Sequence, residues 1–174
     1  MSPGLRKFAL GAHVAFSVGW IGALLAFFAL AIAGASSGDT ALVRGCYLTM
    51  DLVARIVLLP LALASLVSGV VQSLGTVWGL WRHYWVVFKL VITVLALVVF
   101  LLQLGSISDL AAAATNAQVT SARYGDARAS LVLHAGVGLI VLLVPLFLSI
   151  YKPRGVTPFG RPRSFGDPTA TESS

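Results

Sequence analysis

Few side chains in this sequence can do chemistry. Its 174 residues hold only 12 Lys and Arg, 6 Asp and Glu, and 3 His. The informative ones stand alone inside apolar runs: His13, Lys89 and His134 each lie within such a run, and Asp51 precedes Arg55 by four residues in another. An imidazole can ligate a metal or shuttle a proton near neutral pH, and an Asp and an Arg one helical turn apart can pair. Gln72, amid Ser65, Ser68, Gly69 and Ser73, adds an amide that both donates and accepts. The single Cys46 permits neither an internal disulfide nor a cysteine-built zinc or iron–sulfur site. Two Met, one Cys and three scattered His give no soft-ligand cluster for copper.

The elements that position these groups follow from composition. Hydrophobic residues make up 58% of the chain and charged residues 10%, against about 25% charged in soluble proteins. Four apolar stretches, about residues 8–33, 48–74, 84–104 and 129–151, each reach the length of about 20 residues that crosses a bilayer as a helix. The expected fold class is all-α: an antiparallel transmembrane four-helix bundle over residues 1–152, in the plasma membrane, followed by a disordered tail at 153–174 that is too poor in large apolar residues to fold. The first stretch is kept as a mature helix and not a signal peptide. Arg6, Lys7 and the Ala31-Ile32-Ala33 pattern mimic one, but the apolar run exceeds the about 7 to 15 residues of a secretory core. A short extramembrane helix is expected around Ser108–Gln118, started by Ser108 or Asp109 and carried by four alanines.

The net charge of +6 is spread over the flanks of the spans, which argues against a nucleic-acid partner and for orientation by the bilayer. Arg6, Lys7, Arg82, Lys152, Arg154, Arg161 and Arg163 lie on one side, so both termini are expected in the cytoplasm. Trp78, Trp81, Arg82, His83, Tyr84 and Trp85 have the composition of an interfacial belt.

Depth sorts the interior groups into two layers. At 1.5 Å per residue, His13 and Lys89 each lie roughly 8 Å from the cytoplasmic ends of their helices, with Gln72 at the same level. Asp51, Arg55 and His134 enter from the outer side. His13 and His134 are separated by roughly 18 Å along the axis, too far to ligate one haem edge-on. His13 with Lys89 on one haem stays open, provided the lysine gives up its proton. Two plainer roles also stay open: Lys89 snorkelling to the interface and His13 bonding across to another helix. Gly11, Ala15, Gly19 and Ala23 recur every fourth position, and Ser65, Ser68, Gly69, Gln72 and Ser73 form a stripe, so both are expected as helix contact faces. Pro60 and Pro145 are expected to kink their helices.

Three segments carry a resemblance. "AHVAFSVGWIGA" around His13 and Trp20, "LLPLALASLVSG" around Pro60 and Gly69, and "HYWVVFKLVITV" around Trp85 and Lys89 resemble the first three helices of the four-helix bacterial membrane proteins grouped around HemJ protoporphyrinogen oxidase and the copper-resistance protein CopD. The resemblance implies haem b as a cofactor, with His13 and Lys89 as its residues; Gln72, at their depth, and Thr93 are expected to support them. The chain departs from that pattern where Phe100 stands at the usual third-helix histidine, and it lacks both the Pro-Arg element of the first helix and the Asn-Glu motif of the last span. Three functions are carried forward: a haem-associated or redox-linked membrane protein, a non-catalytic scaffold or accessory subunit, and a small transporter acting as an oligomer. The expected partners are the lipid bilayer and either a second copy or another membrane protein.

Overall fold

The computed structural model describes residues 2–75, 84–116, 118–119 and 122–151. The tail, the basic residues from Lys152 onward, and Trp78, Trp81, Arg82 and His83 of the expected belt lie outside the described residues. Those described are almost entirely helical: α1 (Pro3–Ser36), α2 (Thr40–Val53), a wide π-turn (Ala54–Leu58), α3 (Leu59–Leu74), α4 (Tyr84–Thr115), a short 3₁₀ turn (Ala122–Tyr124) and α5 (Gly125–Tyr151).

Each helix end has a local cause. Ser2 caps α1 by accepting from the Leu5 N–H, and Pro3 occupies a first-turn position where no N–H is needed. Only residues 37–39 separate α1 from α2, whose cap Asp39 accepts from the Ala41 N–H at 2.9 Å. α2 and α3 run on through the π-turn, where the Leu59 N–H reaches back five residues to the Ala54 carbonyl. Pro60 immediately follows. Its ring crowds the carbonyl one turn earlier and it has no N–H to offer, and a widened turn relieves both. α5 continues as helix through Pro145.

Four helical segments are long and apolar enough to cross a membrane: Pro3–Ser36, Thr40–Leu74, Tyr84–Thr115 and Gly125–Ser149. Their outward faces are apolar too. Phe8 is 74% exposed, Leu102 75% and Ile140 66%, a surface suited to hydrocarbon and not to water. The chain is a multi-pass membrane protein with a helical-bundle fold. At 1.5 Å per residue the 34 residues of α1 extend about 51 Å, well beyond the about 30 Å of hydrocarbon, so the bundle projects past the apolar layer.

α1 packs on α2, α3 and α5, while α4 packs on α5 and α2 and less on α3. The spans thus form a ring with α1 and α4 across from each other. Packing differs between the two ends. At the end formed by the α1–α2 and α4–α5 connections, Val43, Met50, Ala54, Leu58, Leu110 and Ala114 are wholly buried. At the opposite end, where α1 starts and α5 finishes, α3 and α4 stand apart and a cavity opens.

Two expectations are corrected. Residues 108–115 are no separate helix but the last two turns of α4. The alanines propagate helix without a break, and Ile107, Leu110, Ala111, Ala113 and Ala114 are buried, which holds these turns in the bundle. The small-residue stripe of α1 is a contact face only at its deeper half, where Ala23 packs against the core; the fully buried seam is Trp20, Leu24, Phe27, Ala31 and Gly34, at alternating spacings of four and three. Gly11 and Ala15 are exposed, and Gly19 faces Leu61. Burial of large apolar side chains against neighbouring helices sets the rotation of α1, and spacing of small residues alone does not.

Candidate functional site

The cavity has a volume of about 460 Å³ and lies among α1, α3, α4 and α5. His13, Gln72 and Lys89, expected to share a layer, all line it, as does Thr93. Ser17, Ser65, Ser73 and Ser149 add hydroxyls, Trp20 and Trp85 add rings, and leucine, isoleucine, valine and proline side chains complete an otherwise apolar wall.

His13 is held by α3. Its Nδ1 lies 3.2 Å from the Ser65 carbonyl oxygen and 3.1 Å from Ser68 Oγ. Ser68 Oγ itself donates to the Ala64 carbonyl at 2.6 Å. A carbonyl can only accept, so Nδ1 carries the proton; in the neutral imidazole the lone pair is then on Nε2. The ring comes this close because Gly69 has no side chain. A Cβ there would stand 3.0 Å from His13 Cε1, inside ordinary contact distance. One turn along, Ser17 Oγ and Ser65 Oγ share a hydrogen bond at 2.7 Å, so α1 and α3 are joined at two successive levels.

Lys89 reaches the cavity from α4. Its Nζ donates to Ser149 Oγ at 2.6 Å and stands 5.3 Å from the centre of the Trp85 ring, a cation–π distance. Ser149 Oγ in turn donates to the Pro145 carbonyl at 2.8 Å. Among the described residues, no Asp or Glu lines the cavity. The described aspartates, Asp39, Asp51, Asp109 and Asp126, all belong to the opposite half of the bundle. Gln72 Oε1 is buried and has no hydrogen-bond partner among the described residues. The site therefore combines an imidazole with a free lone pair, an ammonium group without a carboxylate beside it and an amide oxygen lacking a donor.

The second expected layer comes together only in part. Arg55 Nε donates to Asp51 Oδ1 at 3.1 Å, its NH2 group donates to Ser108 Oγ, and Ser108 Oγ donates to Asp51 Oδ1 at 3.0 Å, closing a ring between the π-turn and α4. His134 stands outside that ring: it is exposed on α5, and its Nδ1 lies 2.7 Å from the Ser130 carbonyl of its own helix. The register of α5 turns it outward. Among the described residues, no three His, Cys, Asp or Glu side chains converge as a metal site.

Some partners were not visible in sequence. Ser149 reads as one more small polar residue near a helix end, and only the packing of α5 on α4 reveals that it receives Lys89. In the sequence Arg128 reads as a charge flanking the last span. It in fact donates from α5 to the Gly34 and Ala35 carbonyls at 3.3 and 2.7 Å, at the end of α1, where α1 has no basic residue of its own. The signal available was α1's lack of a basic last turn. No protein-family model, curated protein or solved structure matches this chain.

Proposed function

We propose that this membrane protein holds a redox-linked prosthetic group in the cavity, with haem b the group favoured and His13 its imidazole ligand. The observation that carries the reading is the tie from His13 Nδ1 to the Ser65 carbonyl. Metal-ligating histidines commonly spend one ring nitrogen on a backbone carbonyl, which fixes the tautomer and orients the other nitrogen. His13 has that arrangement, on the wall of a space whose remaining surface is mostly apolar. A single imidazole suffices to hold a haem iron, so no cluster of ligands is required. When bound, haem supplies one-electron chemistry tuned by its axial ligand and by the dryness of its pocket. The chain supplies the imidazole from α1, its orientation from Ser65 and Ser68, ring surfaces from Trp20 and Trp85, and exclusion of water by the apolar wall.

The test is an absorption spectrum of protein extracted in mild detergent from cells supplied with haem. The wild type is expected to be coloured with a Soret band, and His13→Ala to lose it. A colourless wild-type preparation overturns the reading.

A scaffold or accessory role is the second reading, and a specific observation favours it. The His13–Ser68 and Ser17–Ser65 bonds join α1 to α3 whether or not anything occupies the cavity. On that reading His13→Ala and Ser17→Ala lower thermal stability in detergent by similar amounts, of the order of 0.6 kcal/mol each, and alter no bound molecule.

A further inference from the structure

We infer that the cavity takes an amphiphilic ligand by its anionic group, with Lys89 as the counter-ion and the apolar part of the ligand lying along the cavity wall. The inference rests on the cavity being a ligand site, but not on haem being the ligand.

Three observations meet here. Lys89 brings a positive charge into a cavity that no carboxylate of the described residues lines, and the described aspartates all lie in the other half of the molecule. A buried charge left without a partner is costly, and one that a ligand completes is a strong recognition element. Ser149 fixes the ammonium at 2.6 Å and the Trp85 ring flanks it at 5.3 Å, so the cation is positioned. Leu10 and Val14 line the cavity and are each about half exposed. The space is therefore continuous with the lipid-facing surface, and an amphiphile can enter sideways. Lys89 lies five residues into α4, about 8 Å from its start, the depth at which a head group meets the chain interior. The buried Gln72 Oε1 accepts from any hydroxyl the head group carries.

The shared chemistry is a carboxylate or phosphate on an apolar body. It can be carried by a bilayer amphiphile or by a prosthetic group with acidic side chains. The probe is 9,10-dibromostearate, whose bromines quench tryptophan fluorescence at short range. It is titrated into full-length protein in non-ionic detergent, purified from haem-starved cells, with its methyl ester as the uncharged control. Wild-type protein is expected to be quenched at concentrations at least tenfold lower by the acid than by the ester. Lys89→Gln should abolish that difference and Lys89→Arg retain it. Equal quenching by acid and ester in the wild type overturns the inference without any variant having to fold.

Added haem then separates the sources. Displacement of the acid by haem, with haem binding weakened in Lys89→Gln, assigns the head group to a prosthetic group. Retention of the acid with haem present, together with displacement by anionic phospholipid, assigns it to the bilayer. Because the quenching difference is read without haem, a colourless protein that still prefers the acid removes the haem reading and leaves the counter-ion in place.

Discussion

Glycine 69 is the residue through which α3 accommodates the imidazole. An added methyl group would meet the His13 ring at 3.0 Å, whereas at Gly11 it would meet nothing within 4 Å. Gly69→Ala is therefore expected to push the ring off Ser65 and Ser68 and to destabilise the protein by about 1–3 kcal/mol, the usual cost of overfilling a packed site. Gly11→Ala should stay within about 0.5 kcal/mol of wild type. Thermal melting of both variants in the same detergent checks the pair, and equal melting temperatures would remove the close approach as a determinant. Gly34 offers an independent comparison, since its added Cβ would meet the Tyr47 ring at 3.0 Å and Cys46 Cβ at 3.2 Å. At this scale the sequence was informative about types and depth: an isolated His, Lys and Gln in one layer of apolar helices are costly enough to face inward together. It could not reveal Ser149 or the backbone oxygen of Ser65 as their partners, because which serine receives a charge depends on the rotation of another helix.

Among the helices, two polar ties hold the tightly packed end. Arg128 satisfies carbonyls at the end of α1 from α5, and the Asp51–Arg55–Ser108 ring links the π-turn to α4. Arg128→Ala leaves those carbonyls without their donor. It is expected to cost about 1–2 kcal/mol and to speed amide exchange in the last turn of α1, read by hydrogen-exchange mass spectrometry. The other tie is weaker because the Arg55 side chain is 53% exposed. A double-mutant cycle of Arg55→Ala with Ser108→Ala should give a coupling of only about 0.5–1 kcal/mol. The i, i+4 spacing of Asp51 and Arg55 was legible, since it is local. Ser108 was expected to begin a helix and instead lies inside α4, because the alanine run and its burial against α2 carry the helix past the apolar span. Hydropathy marks where lipid ends, and a helix stops only where its backbone loses partners.

For the whole molecule, four long apolar helices were legible because hydrocarbon leaves a chain few ways to satisfy its backbone. The rotation of α1 was not, since small residues mark a close approach only where a neighbour is present to make one. Charge still argues for one orientation. Among the described residues, the end where α1 begins carries Arg6, Lys7 and Lys89 without an aspartate, while the other end mixes Arg44, Arg55, Arg123 and Arg128 with the four aspartates. The basic end is expected to face the cytoplasm. In a Cys46→Ser background, Gly38→Cys should react with a membrane-impermeant maleimide in intact cells and Ser2→Cys should react only after permeabilisation. The reverse pattern would invert the protein.

The serines of the cavity wall have one more consequence. On that wall Ser73 and Ser149 each donate to a carbonyl of their own helix, at 2.7 and 2.8 Å. Their hydroxyl protons are thus settled before any guest arrives, and what they present to it is oxygen lone pairs. Those two hydroxyls keep their partners whether or not a guest is present, so its departure strands no donor at either serine.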